Sequence, residues 1–128
     1  MGKDIKNKMM FDLSNKTAVV TGAGSGIGAK VVETLFSLNA NLCLIAASEK
    51  NVKKVARKLD ARLKRISYYV CDVRNERALI EVRGKVIKKF GSVDILVTCA
   101  AAPPVSGKSE ELSFEDWRKV LDIDLDGV

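Results

Sequence analysis

Thr21-Gly22-Ala23-Gly24-Ser25-Gly26-Ile27-Gly28 (TGAGSGIG) stands between two stretches of different period. Before it, Lys16 to Thr21 (KTAVVT) is a short β-branched run, which predicts a buried strand. After it, Ile27, Val31, Val32, Leu35 and Leu38 recur at helical spacing as far as Asn39, a residue that tolerates the left-handed conformation in which helices end. Glycines placed between a strand and an amphipathic helix meet the context a dinucleotide fingerprint requires. They let the backbone turn tightly and approach a pyrophosphate, whose charge meets unpaired N–H groups at the helix start.

Outward from that turn the two periods keep alternating, the pattern of strands joined by crossover helices and hence of a parallel sheet. Asn41 to Ala47 (NLCLIAA) reads as the second strand, and Ser48 offers an N-cap oxygen to a lysine-rich helix. Arg65 to Cys71 (RISYYVC) is the third strand. A helix follows through Ala78, Leu79, Val82, Val86, Ile87 and Phe90, interrupted by Gly84, a cost of ~1 kcal/mol against Ala, and closed by Gly91. Val93 to Cys99 (VDILVTC) is the fourth strand, and Ala100 to Leu112 is a loop with paired prolines. Ser113 with Asp116 resembles a capping box opening a last helix through Trp117, Val120 and Leu121.

Composition narrows the chemistry. A chain of 128 residues with 47% hydrophobic and 30% charged content predicts one globular domain spanning residues 1–128, without a membrane-spanning run. Met1 to Met10 alternates lysines with polar residues and lacks the apolar stretch of a secretory signal; Gly2 is not followed by the Ser or Thr that myristoylation wants, since Lys6 stands there. Cys43, Cys71 and Cys99 are odd in number and form no CxxC pair, so they read as buried thiols in a reducing cytoplasm, with no disulfide and no metal site. The chain has no histidine, which excludes imidazole-based catalysis within it. The net charge of +6 raises the question of a nucleic-acid partner. Lys50, Lys53, Lys54, Arg57 and Lys58, however, share a helix with Val52, Val55, Ala56 and Leu59 on its other face, so they read as its solvated side.

The motif Thr21, Gly22, Gly26, Ile27 and Gly28 matches in full the TGxxxGIG signature of the classical short-chain dehydrogenases/reductases, and FDLSNKTAVVTG from Phe11 is similar to their lead-in. The resemblance covers Phe11 to Val128. It implies a Rossmann-type doubly wound α/β fold, with strand order 3-2-1-4 in this segment. Asp72 and Val73 correspond to the family's Asp-Val pair at the adenine ring; a bare Asp after a strand is otherwise a common helix cap. Where the family writes NNAG, this chain has Thr98, Cys99, Ala100 and Ala101. Only Ala100 is kept, and Ala101 adds a methyl group where a glycine lets backbone lie against the cofactor. VLDIDLDGV resembles the segment with the family's catalytic-tetrad asparagine. Asp124 stands in its place, either as a structural helix residue or in the proton relay, though a carboxylate cannot donate an amide hydrogen. The family's Ser and YxxxK would lie beyond Val128; Tyr68 and Tyr69, without a lysine four positions on, read as strand residues.

The resemblance therefore implies an NAD(P)-dependent oxidoreductase that interconverts an alcohol and a ketone on a small-molecule substrate, as a homo-oligomer. This segment would supply the cofactor site through Thr21, Gly22, Ser25, Gly26, Ile27, Gly28, Ala47, Asp72, Val73, Cys99, Ala100 and Ala101. By itself the segment is expected to be inactive and to associate through its fourth strand. A non-catalytic dinucleotide-binding or interaction module is the other reading, drawn from the missing catalytic residues and the altered NNAG. Between NAD and NADP, the family's acidic or basic markers are replaced by Ala46, Ala47 and Ser25. A buried 2′-phosphate without a basic partner costs more than a ribose hydroxyl missing one acceptor, which leans the choice to NAD, although Lys50 stands near the relevant end of the second strand.

Overall fold

The computed structural model describes residues 11–128, so the readings made on Met1 to Met10 lie outside the described residues. The elements run β1 (Thr17–Thr21), α1 (Gly26–Ser37), β2 (Asn41–Ala46), α2 (Glu49–Leu59), β3 (Ile66–Val70), α3 (Glu76–Phe90), β4 (Ile95–Thr98), a 3₁₀ turn (Ser109–Glu111) and α4 (Phe114–Asp124). All strands are parallel, in the order β3-β2-β1-β4. That order reverses direction between β1 and β4, which opens a crevice at the carboxyl ends of those two strands.

Strand periodicity sorts the core into two layers. On β2, Leu42, Leu44 and Ala46 face the cluster that holds Val32 of α1 together with Val52 and Ala56 of α2. Cys43 and Ile45 point the other way, to Val82 and Val86 of α3. A strand buried on both faces reads as an unbroken apolar run, as NLCLIAA does. Fully burying a side chain such as Leu42 or Leu44 stabilises the fold by ~1.5–3 kcal/mol, so this central strand is the main anchor of both layers.

The helix ends follow local chemistry. Ser48 Oγ accepts from the Asn51 N–H (3.4 Å), Asn75 Oδ1 from Ala78 (3.1 Å) and Ser113 Oγ from Asp116 (3.0 Å). Asn39 adopts φ 72° just past α1, as its type predicts. Gly84 does not interrupt α3: it lies on an exposed turn of a continuous helix, where a cost of ~1 kcal/mol is outweighed by the buried Val82 and Val86. Two further expectations change. The strand predicted over Val93 to Cys99 runs only from Ile95 to Thr98: at its start the Asp94 N–H still donates to Thr17 O (2.8 Å) while the Asp94 carboxylate accepts from the Thr17 N–H (2.8 Å) and the Ser92 hydroxyl (2.9 Å), and at its end the Cys99 N–H goes to a side chain, Thr21 Oγ1 (3.2 Å). Cys43 and Cys71 are buried as expected, whereas Cys99 is only half-buried at the mouth of the crevice. Burial pushes the Cys43 thiol up to about 12 and also raises that of Cys71, which leaves both as protonated core residues.

Candidate coenzyme site

Every residue expected to touch a coenzyme lies at or follows the carboxyl end of a strand, on one side of the sheet's strand ends. Gly22 to Gly28 follows the end of β1, Ala47 the end of β2, Asp72 and Val73 the end of β3, and Cys99 to Ala101 the end of β4. Parallel pairing makes this unavoidable, because all four strands point the same way.

The turn after β1 is held from both sides. The Ala23 N–H donates to Ile45 O at the end of β2 (3.1 Å). Thr21 Oγ1 accepts from both the Cys99 and the Ala100 N–H (3.2 Å each), so this buried hydroxyl ties β1 to the end of β4. Gly22, at φ 63°, lets the two segments touch: a Cβ there would press on the Cys99 carbonyl oxygen and lie 2.6 Å from its carbon. Gly26 differs. It has φ 53°, and a Cβ would meet nothing within 4 Å. Of the two glycines, one is required by protein packing and the other faces open space.

That open space borders the start of α1. Ser25 is the N-cap residue but its side chain makes no capping bond, and the first turn carries no acidic side chain, whereas α2, α3 and α4 are each capped by their own Ser or Asn. The leading N–H groups of α1 are therefore left for an anion or for water. Beside them Ile27 is 78% exposed, an apolar side chain at the same opening. These features fit a dinucleotide: a positive helix end for the pyrophosphate, room above Gly26 and an apolar surface alongside.

At the end of β3, Asp72 is not the helix cap; Asn75 is. The Asp72 carboxylate instead accepts from Arg74 through its backbone N–H (2.9 Å), Nε (3.0 and 3.1 Å) and Nη2 (2.6 Å), and the guanidinium holds the carboxyl below the usual 3.8. Arg74 was not foreseen; an arginine two residues after an aspartate in a turn was the available signal. Val73 is buried, and the turn after α4 packs so tightly on it that a Cβ on Gly127 would lie 2.7 Å from Val73 Cγ2. Asp124, at the end of α4, accepts from the Ala102 N–H (2.7 Å). That bond needs only an acceptor, so a carboxylate serves where the family has an amide, and it fixes the loop following Ala101. A cleft of about 940 Å³ lies beyond this point, between that loop and α4, lined by Pro103, Pro104, Trp117 and Asp124 among others. It is separate from the glycine turn.

The family model described as short chain dehydrogenase matches residues 16–128. The chain belongs to this family. The short chain dehydrogenase/reductase astE of Aspergillus oryzae is 34% identical over 123 residues, which cover 95% of this chain and 47% of that protein. A crystal structure titled as a short-chain, glucose/ribitol dehydrogenase from Brucella melitensis superposes with a TM-score of 0.84 at 29% identity, covering 93% of this chain and 50% of that one. Carveol dehydrogenase from Mycobacterium avium, solved in complex with NAD, shares the fold with a TM-score of 0.83 at 22% identity, over 91% of this chain and 47% of that one. This short-chain dehydrogenase chain thus spans about half the length of the relatives it matches.

Proposed function

We propose that this chain carries the coenzyme half of an NAD(P)-dependent oxidoreductase that interconverts an alcohol and a ketone on a small-molecule substrate. The observation that carries the reading is the start of α1, which has no side-chain cap and opens onto free space above Gly26. The N–H groups from Gly22 to Gly28 would hold the pyrophosphate, Ala47 would border the adenosine ribose, and Asp72 and Val73 the adenine. Cys99, Ala100 and Ala101 would border the nicotinamide end. The coenzyme, when bound, supplies the hydride chemistry. Asp124 contributes by holding the Ala102 backbone, and with it the chain that follows Ala101. The NAD complex of the carveol dehydrogenase supports a nicotinamide coenzyme in this fold. NAD is favoured over NADP because no basic side chain stands at Ala46, Ala47 or Ser25.

The test is a calorimetric titration of the complete polypeptide with NAD and with NADP. Binding is expected, tighter for NAD. A Gly26→Val variant should lose affinity by roughly tenfold or more, since its side chain would fill the space over the helix start. No binding of either dinucleotide would refute the reading, and equal affinity in the variant would refute the assignment of the pyrophosphate to this turn.

A further inference from the structure

Resting on the coenzyme reading above, we propose that the cleft between the loop after Ala101 and α4 holds the part of the substrate remote from its reacting carbon. It takes an apolar group that is neutral or cationic and turns away an anionic one. Position and charge lead there. The inner end of the cleft is closed by the bond from the Ala102 N–H to Asp124 (2.7 Å), and Ala102 directly follows the residues assigned to the nicotinamide end. A substrate whose reacting carbon faces the nicotinamide therefore has this cleft within reach of its other end. The walls are apolar. Phe114, Trp117, Val120 and Asp124 recur at three- and four-residue intervals, so one face of α4 lines the cleft. Pro103 and Pro104, whose rings fix their backbone, stand in the loop opposite. A volume of about 940 Å³ is enough for a small organic molecule.

Charge decides what these walls accept. Glu111, Asp116 and Asp124 line the cleft against a single basic residue, Lys108, although the chain as a whole carries +6. Asp116 is engaged elsewhere: it accepts from the Ser113 hydroxyl (2.7 Å) and lies 3.8 Å from Lys119 Nζ. Among the described residues neither Glu111 nor Asp124 belongs to an ion pair, so their charges act on whatever enters. An anion placed between apolar walls gives up water and meets mostly carboxylates in return. A cation meets the same carboxylates as partners, with the Trp117 ring beside them. The substrate class that fits is an alkyl or aryl alcohol or ketone whose far end is uncharged or bears an ammonium group, and carboxylates and phosphate esters are excluded.

The experiment titrates the complete polypeptide, loaded with the dinucleotide it binds, with three probes that share a benzyl body: benzyltrimethylammonium, phenylacetone and phenylacetate. Calorimetry should show the ammonium probe and the ketone binding, and phenylacetate at least roughly tenfold weaker than either. Glu111 is exposed and belongs to no ion pair among the described residues, so Glu111→Gln should keep the melting temperature of the wild type while narrowing the gap between ammonium and carboxylate probes by about threefold or more. Trp117, 51% exposed, is a wall residue outside the core, and Trp117→Ala should weaken the ammonium probe and the ketone by roughly tenfold. Phenylacetate bound as tightly as the ammonium probe, no binding of any probe, or an unchanged gap in Glu111→Gln overturns the inference and leaves the coenzyme reading standing. Failure of the wild type to bind any nicotinamide dinucleotide refutes the coenzyme reading itself, and the assignment of the cleft to a substrate with it.

Discussion

At the scale of single residues, the glycines of TGAGSGIG separate into two physical roles that their shared motif conceals. Gly22 lies against the backbone of Cys99 and Ala100, so a methyl group there has to push the end of β4 away while adopting φ 63°. Left-handed backbone costs a non-glycine residue ~1–2 kcal/mol and overpacking a further ~1–3 kcal/mol. Gly26 bears only the first cost, because a Cβ there meets open space. Gly22→Ala is accordingly expected to lower the melting temperature clearly more than Gly26→Ala, and Gly26→Ala to spend its effect on coenzyme affinity. Thermal melts and titrations of the pair in the complete polypeptide would check this; a reversed order of stabilities would show that Gly22 is not a packing residue. The difference was not legible in the sequence, where both glycines read as making room for a pyrophosphate. Which of them faces protein depends on how closely β4 approaches β1, a long-range pairing that one residue's neighbours do not encode. Asp72 shows the same limit. Its place after a strand was readable, but its partnership with Arg74 depends on the shape of the turn.

At the scale of elements, the sequence was most informative where a segment is buried on two faces. NLCLIAA reads as a strand because nothing polar interrupts it, and β2 does pack Leu42 and Leu44 toward α1 and α2 and Cys43 and Ile45 toward α3. Ser48 and Ser113 were legible as caps because capping is local chemistry. The fourth strand is shorter than its apolar run, since its start is tied by Asp94 to Thr17 and its end by the Cys99 N–H to the Thr21 hydroxyl, partners 77 and 78 positions away in the chain. The central position of β2 yields a direct prediction. Leu44 is fully buried, and Leu44→Ala removes atoms from the layer shared with Val32, Val52 and Ala56, so it should destabilise the protein by ~2–5 kcal/mol in denaturant unfolding. Leu96→Ala on β4, where the side chain is 63% exposed, should cost well under half of that. Equal costs would mean that the sheet is not anchored at β2.

At the scale of the whole molecule, the sheet has two edges of different character. Along β3, Ile66 and Ser67 are buried, and Lys89 Nζ donates to the carbonyls of Leu63 and Ile66 (2.9 Å each), so part of that edge is already occupied. No residue of β4 is buried, and α4 presents Phe114 and Trp117 at more than half exposure, with Leu125 just past its end, while burying none of its own side chains. An uncovered strand with apolar side chains and free backbone groups recruits another strand, and a single lysine on it is the usual deterrent. The 128-residue chain, produced by itself, is therefore expected to elute from size-exclusion chromatography as oligomers. Leu96→Lys should move it toward the monomer, and Val70→Lys on the β3 edge should leave the profile unchanged. The same preparation should show no NAD(P)-dependent turnover of alcohols or ketones, because a hydride leaves a carbinol carbon only as its oxygen gives up a proton, and reaches a carbonyl carbon only as its oxygen takes one. The described residues place no tyrosine-lysine pair at the crevice to move that proton: Tyr68 and Tyr69 lie within β3. A monomer at high concentration would refute the exposed-edge argument. Measurable turnover would assign the proton transfer to a group on this chain, with Asp124 the first to substitute, by Asn and by Ala.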